Sequence, residues 1–357
     1  MDYISAREAA QQWKISQRRV SVLCSEGRIK DAVMVGNMWI IPSDAKKPED
    51  ARSTRKKSEP QSTLRPFLKW AGGKGQLLSE IRKRYMSALD SSITKYAEPF
   101  VGGGAVLFDI IGKHDFKEIY ISDINSELIN AYKVIRDNVE QLIAELSVMQ
   151  ESFLPLESEE RKVFYYKARD EYNAIKINGN ASENQRKAVL MIFLNRTCFN
   201  GLYRVNSKGL YNVPMGDYKK PLICDKENLL AVSSALKNVE IVCGQFTDSE
   251  SFIDEHTLVY FDPPYRPLNV TSNFTSYTET AFDDEQQKRL ATYIDRLASK
   301  GAKIIASNSD PKNVDPNDDF FDRLYSKYKI ERVEASRMIN SKAESRGKIS
   351  EILVTNF

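Results

Sequence analysis

The sequence predicts an α/β chain: a doubly wound, mainly parallel sheet interrupted by a mostly helical insertion, with a small winged helix-turn-helix in front. Three observations carry that reading. From about residue 64 onward, short apolar runs alternate with amphipathic stretches of helical length, the pattern of parallel strands joined through crossover helices. Between about residues 150 and 237 the alternation gives way to helical periodicity and then to a turn-rich, basic segment. Ahead of both, residues 1–44 hold two capped helical segments and a hairpin pattern.

In that head, Ser5 is placed to cap a helix "AREAAQQW", with Glu8 as its capping-box partner. Ser16 caps a second helix, "QRRVSVLCSEG", which Gly27 ends. "RIKDAVMV", a Gly36-Asn37 turn and "MWIIP" follow as a hairpin. The pattern resembles the compact DNA-binding heads of the MerR and excisionase type. That resemblance implies that the second helix enters a major groove, with Arg18 and Arg19 facing phosphates or base edges. With six basic and five acidic residues the head is nearly neutral, so a protein-contact or dimerisation role stays open. Residues 45–63 read as a linker, because the stretch 45–65 sets seven Lys/Arg against three acids and has almost no large apolar side chain to bury.

Expected strands are "KYAEPF" (95–100), "EIYISD" (118–123), "VEIVCG" (239–244), "TLVYFD" (257–262), "AKIIAS" (302–307), "KIERVEA" (329–335) and "EILVTNF" (351–357). "NSELINAYKVIRDNVEQLIAEL" and "DDEQQKRLATYIDRLAS" carry the helical period between them. At 357 residues and 41% apolar content the chain has room for two or three globular domains. It shows no membrane-length apolar run and no signal-peptide core, so a cytoplasmic, nucleoid-associated protein is expected. The four cysteines lack any CxxC pair and there are two His, which argues against structural zinc and against a disulfide framework.

Four segments carry chemistry. "FLKWAGGKGQL" (67–77) looks like a phosphate-binding P-loop but fails it: Leu68 stands at the first glycine position and Gly75 at the hydroxyl position. "EPFVGGGAVLFDI" (98–110) is a strand, a glycine turn and a helix start, where backbone can approach a ligand closely. Leu107 replaces the third glycine of a dinucleotide loop, and Asp123 lies about 20 residues on, at a strand end suited to ribose hydroxyls. "VYFDPPYRP" (259–267) ends an apolar strand in Asp262-Pro263-Pro264-Tyr265. Two prolines remove two donors and hold the preceding residue extended, leaving the Asp262 carboxylate and the Pro263 carbonyl as fixed acceptors for an NH₂ group. Tyr265 adds a flat face on which a base can stack.

Together these segments resemble the S-adenosylmethionine-dependent DNA adenine N6-methyltransferases of the Dam type (the D12 class), over about residues 64–357. The resemblance implies a Rossmann-like class I methyltransferase sheet. Its catalytic domain would be split into 64–149 and 238–357 around a target-recognition domain at 150–237. It implies S-adenosylmethionine bound by Trp70, Gly72, Gly73, Lys74, Phe100, Gly102, Gly104, Asp123, Gln245, Phe246 and Asp262, with no metal. "FLNRTCFNGLYRVNSKGLYNVPMGDYKKP" (193–221) is similar to the recognition hairpin of enzymes that methylate GATC. There Phe199 and Asn200 match a wedge that fills the gap left by a flipped base. Leu202 and Arg204 match base readers, Tyr218 a site contact, and Lys69 a lysine near the first guanine. Phe199 stands where the family usually has Tyr, and Asp217 where a basic residue is expected.

The implied partner is double-stranded DNA, and the implied mechanism is catalysis by Asp262, Pro263, Pro264 and Tyr265. Both N6 protons would be accepted and the nitrogen lone pair freed toward the sulfonium methyl. DPPY alone also fits cytosine N4 or an RNA adenine, and the head fits a DNA-binding regulator without turnover. The loop between the last two strands carries Arg337, Lys342, Arg346 and Lys348 against Glu344, which suits either solvation or phosphate contact. Oligomeric state is left open.

Overall fold

The computed structural model describes residues 2–36, 38–48, 64–70, 72–266, 282–336 and 348–357. The chain divides into two compact units, Met1–Gln61 and Ser62–Phe357.

In the first unit, β1 (Tyr3–Ser5), α1 (Ala6–Trp13), α2 (Gln17–Ser25), β2 (Val33–Val35) and β3 (Met38–Pro42) surround a small core that includes Ala9, Val20, Leu23 and Ile41. Ser5 Oγ accepts from Glu8 N–H, and the Glu8 carboxylate accepts from Ser5 N–H at 2.7 Å, closing a capping box. Ser16 Oγ caps α2 by accepting from Arg19 N–H at 3.3 Å. β3 pairs antiparallel with β1 and β2. Sequence reasoning missed β1, because three residues are too few to show alternation and its partner lies far along the chain. Arg18 is exposed on α2 and Arg19 half-buried. Asn37 of the expected turn lies outside the described residues, as do residues 49–63 of the expected linker.

The second unit is built on β4 (Lys95–Glu98), β5 (Glu118–Asp123), β6 (Val239–Cys243), β7 (Thr257–Phe261), β8 (Lys303–Ser309), β9 (Lys329–Ser336) and β10 (Lys348–Thr355). Their order is β6-β5-β4-β7-β8-β10-β9. The pairs from β6 to β8 are parallel, and β10 runs antiparallel between β8 and β9. This is the doubly wound sheet the alternation predicts. The expected last strand is displaced: it begins at Lys348 and ends at Thr355, because ladder pairing with β8 and β9 fixes its span.

Residues alternate between the two faces. Leu258, Tyr260, Ile305 and Leu353 point into one core, and Val259, Phe261, Ile304, Ala306, Ile352 and Val354 into the other. α3 (Leu78–Ala88), α4 (Ala105–Ile111), α5 (Ser126–Phe153) and α8 (Lys226–Leu236) cover the first face, whereas α9 (Asp284–Ser299) and α10 (Phe320–Leu324) cover the second. β7 is buried at every residue, as a central parallel strand must be.

The first core continues without a break into α6 (Ser158–Asn178) and α7 (Asn184–Thr197) through Tyr165, Tyr172 and the run Ala188–Leu194. Residue 150 falls inside α5, whose backbone kinks at Asn138 (φ −138°, ψ 37°). The helical segment therefore grows out of a sheet-covering helix and shares its core. Among the described residues, no helix is long and apolar enough to cross a membrane.

Candidate active site

Strand order reverses between β4 and β7, and the carboxyl ends of strands at such a switch point form the crevice where open α/β sheets bind ligands. The glycine turn leaves β4 there, and Asp262 follows directly on β7.

Asp262 is not the unpaired acceptor expected from its proline neighbours. Its Oδ1 lies 2.8 Å from Lys74 Nζ and accepts from Ser307 Oγ at 3.0 Å. Lys74, 6% exposed, also donates to the Gly72 carbonyl at 2.8 Å and sits 4.4 Å from the centroid of the Tyr265 ring. Its ammonium is thus committed to the Asp-Pro-Pro-Tyr loop, a placement not foreseen from its glycine neighbours. Burial raises the Asp262 carboxyl above its ordinary value, and Lys74 and then Ser307 pull it back. Behind them Glu98 is buried and accepts from Tyr96 Oη at 2.6 Å; burial holds its carboxyl well above the usual range.

Each following residue of the loop is anchored separately. The Pro264 carbonyl accepts from Gln287 Nε2 at 3.1 Å, and Gln287 Oε1 accepts from Asn308 Nδ2 at 3.2 Å. Tyr265 Oη donates to Glu351. Arg266 binds Asp284 and Asp318, each at 2.6 Å, while its backbone N–H reaches Asn308 Oδ1 at 3.4 Å. Pro263 is buried and Pro264 exposed. Ser307, Asn308, Gln287, Glu351 and Arg266 were missed from the sequence. A signal was present for two of them, Ser307 and Asn308: "SNSD" continues an apolar strand with polar residues, and β8 runs on through Ser309 with Ser307, Asn308 and Ser309 all buried.

On the other side of the crevice, Asp123 accepts from Gly102 N–H at 3.1 Å and Asn125 N–H at 2.9 Å, so the glycine turn and the strand-end acid form one unit. Burial raises the Asp123 carboxyl, and those N–H groups oppose the rise. Gly104 is required twice over: φ is +73°, and a Cβ would lie 2.5 Å from Tyr132 Oη. Trp70 packs on this turn, where a Cβ on Gly103 would come within 2.8 Å of it. Phe100 stacks on Phe246 with centroids 5.5 Å apart. Phe246 itself is buried, whereas Gln245 is exposed and accepts from Arg289 at 3.1 Å. Gly72 and Gly73 are exposed beside Lys74.

The expected recognition hairpin is held by bridges Cys198↔Met215 and Val205↔Tyr211. At its open end, beside the Cys198↔Met215 bridge, Phe199 is 52% exposed, and Asn200 adopts a left-handed backbone (φ 56°). Arg204 is exposed; Nε donates to Asn212 at 2.9 Å, and among the described residues nothing takes its terminal nitrogens. Leu202 is half-buried against the core. Lys69 Nζ lies 4.5 Å from the Tyr218 ring centroid and donates to Tyr218 Oη at 3.3 Å.

Two contacts tie this hairpin to the segment before Lys74. Buried Asn195 accepts from Lys69 N–H at 2.9 Å and donates to the Lys69 and Gly201 carbonyls at 2.8 and 3.0 Å. Trp70 stacks on Tyr203, centroids 5.3 Å apart. Arg18 and Arg19 belong to the other unit. Arg337, Lys342, Glu344 and Arg346 lie outside the described residues, and nothing is described of the Lys348 side chain. Among the described residues, no three His, Cys, Asp or Glu side chains gather as a metal site.

A seven-strand sheet of this order, with a glycine turn and a strand-end acid facing Asp-Pro-Pro-Tyr across the switch point, defines a Rossmann-like α/β enzyme of the methyltransferase class. Residues 70–339 match the model of the D12 class N6 adenine-specific DNA methyltransferases, and the chain belongs to that family. A Type II methyltransferase, M.MjaIII of Methanocaldococcus jannaschii, is 50% identical over 296 residues, covering 82% of this chain and 99% of that one. M1.LlaDCHI of Lactococcus lactis subsp. cremoris, also a Type II methyltransferase, is 42% identical over 82% of this chain and 96% of its own. The DNA adenine methylase of Escherichia coli K12 is 35% identical over 81% of this chain and 94% of its own. The chain is an adenine-specific DNA methyltransferase.

Asn195→Ala strands three backbone groups at once. It should lower stability by about 2–3 kcal/mol, read as a lower urea midpoint; an unchanged midpoint would show that the clamp is dispensable.

Proposed function

We propose that the chain transfers the methyl group of S-adenosylmethionine to N6 of an adenine flipped out of double-stranded DNA, in a GATC-like site. The observation that carries this reading is the Asp262 carboxylate, paired with Lys74 at the switch point and followed by a rigid carbonyl and a tyrosine ring.

The residues present fit the cofactor. Asp123 is fixed by two backbone N–H groups, and each carboxylate oxygen keeps a lone pair for a vicinal diol. At Gly102, Gly103 and Gly104 a Cβ would press on Trp70, Tyr132 and Phe108, whereas at Gly72 it would meet open space, room left for a ligand. Gly72, Gly73, Trp70 and Phe100 border the same crevice in this proposal, with Phe246 backing Phe100 and Gln245 at its rim. S-adenosylmethionine supplies a methyl group activated on a sulfonium.

The chain's own residues do the rest. Adenine N6 is a poor nucleophile because its lone pair is delocalised into the ring. Asp262 and the Pro263 carbonyl accept hydrogen bonds from the two N6–H groups and so favour a nitrogen whose lone pair is localised. The N–C bond forms as the methyl's bond to sulfur breaks, leaving a neutral thioether, and one N6 proton is released to solvent. Lys74 keeps Asp262 an acceptor rather than an acid. Tyr265 stacks on the ring, and the bonds around the loop fix this geometry before the base arrives, so that positioning and preorganised dipoles supply most of the acceleration.

Flipping costs a few kcal/mol of unstacking, which Phe199 offsets by wedging into the duplex with Asn200 beside it. The exposed fork of Arg204 suits guanine O6 and N7. Leu202, Tyr218 and Lys69 line the same side of the hairpin in this reading. The names of the Type II relatives favour a restriction–modification setting. For residues 1–44, exposed Arg18 on a capped second helix supports a separate DNA contact.

Asp262→Ala should abolish methyl transfer while calorimetry finds S-adenosylmethionine affinity within a few-fold of the parent; near-normal turnover would refute its role. Because protonated Asp262 loses acceptor capacity, the rate should fall as pH drops through its raised value. Lys74→Met removes the charge that opposes that rise, so this acid limb should move to higher pH, and a limb that stays put would separate Lys74 from Asp262. Arg204→Ala should cost about 1–3 kcal/mol of discrimination at one base pair, measured on duplexes altered one position at a time. Unchanged preference would count against the hairpin assignment.

A further inference from the structure

Glu351 is out of keeping with its surroundings. It lies on β10 between Ser309 of β8 and Val333 of β9, and the next residues, Ile352, Leu353 and Val354, are all buried and apolar. A carboxylate partly withdrawn from water in such a strand costs free energy that an aliphatic side chain would not. Among the described residues no lysine or arginine forms an ion pair with it, and its one side-chain hydrogen bond comes from Tyr265 Oη. Burial raises its carboxyl, opposed by that bond and by the charge of Lys74. A local conflict of this kind, with the Tyr265 hydroxyl as the one side-chain partner among the described residues, points to a role at the site.

The bond acts on the ring that matters. Tyr265 follows two prolines, so its backbone is stiff, but its side chain still has two torsions to fix. Lys74 approaches one face, with Nζ 4.4 Å from the centroid, and Glu351 holds the hydroxyl edge. Among the described residues no other ring packs on Tyr265. A charged acceptor bonded to a phenol is among the stronger hydrogen bonds and is directional, so it sets the ring plane as well as its position.

We propose that Glu351 is a positioning residue for methyl transfer: through the Tyr265 hydroxyl it locks the plane of the platform on which the target base stacks. This rests on the stacking role given to Tyr265 above. Glu351 touches neither substrate nor cofactor, so its removal should act on the chemical step and on base placement while leaving cofactor affinity unchanged.

The test is a double-mutant cycle in the full-length enzyme with Tyr265→Phe, Glu351→Leu and the pair, plus Glu351→Gln, whose carboxamide oxygen can still accept the bond. Leucine suits the apolar strand, and Tyr265→Phe probes the same bond without touching β10. Single-turnover methylation of a duplex should slow about ten- to a hundredfold in each single variant and no further in the double. Glu351→Gln should stay within a few-fold of the parent. With 2-aminopurine at the target position, the Phe and Leu variants should show brighter emission from a less well stacked base. Parental rates in Glu351→Leu, multiplicative losses in the double, or a Gln variant as slow as the Leu one would each overturn the proposal. Tyr265→Ala separates the two levels: if it methylates normally, the stacking role itself fails, whereas a dead Tyr265→Ala beside a normal Glu351→Leu removes Glu351 alone.

Discussion

A carboxylate that must accept hydrogen bonds from a neutral amine has to stay charged in a place that is mostly dry. In the proposed reaction Asp262 is that carboxylate, and its pairing with Lys74 favours the charged form against burial. Burial pushes Asp262 toward the protonated form, which would turn one of its oxygens from acceptor to donor. A cation 2.8 Å away opposes that push without occupying every lone pair. The same ammonium lies over Tyr265, so one charge organises both the acceptor and the stacking face. A glycine-flanked segment far upstream in the chain is thereby joined to the end of β7.

The sheet supplies the rigidity this needs. β7 and β8 are apolar until they reach the carboxyl edge, where Asp262 follows one and Ser307, Asn308 and Ser309 end the other. Every polar side chain in that cluster has a partner: Ser307 on Asp262, Asn308 on Gln287, Gln287 on Pro264. Such a network is stable only when complete, so it holds the loop in one conformation rather than several. The hairpin proposed to read the target is bound to the same frame through Asn195 and the Trp70–Tyr203 stack, so in that proposal target reading and chemistry share one scaffold.

Much of this was legible beforehand, for identifiable reasons. Parallel strands buried on both faces leave continuous apolar runs, and those runs located the five parallel strands to within a few residues. The caps at Ser5 and Ser16 announced helix starts because side-chain oxygens at those positions satisfy the first free N–H groups. Asp262, Tyr265, Asp123 and the glycine turn stood out by residue type, and the fold brings them to the carboxyl edge of β4, β5 and β7. What stayed hidden was pairing across long sequence separations. Nothing local to Lys74 announces that its ammonium reaches Asp262, and nothing local to Glu351 announces Tyr265. Three-residue β1 and the sharing of a core between α5, α6 and α7 were invisible for the same reason. Polar residues ending the β8 pattern were the one overlooked local clue.

The central claim is that the end of β7 receives the amino group of the target adenine. It is met most directly by a crystal structure of the enzyme with a duplex containing the unmethylated target site and a non-reactive cofactor analogue. The account predicts an extruded adenine, its N6 within hydrogen-bond distance of both the Asp262 carboxylate and the Pro263 carbonyl, and its ring on Tyr265. An adenine still paired in the helix, or one whose N6 is bound by other groups while Asp262 remains closed on Lys74 alone, would contradict it.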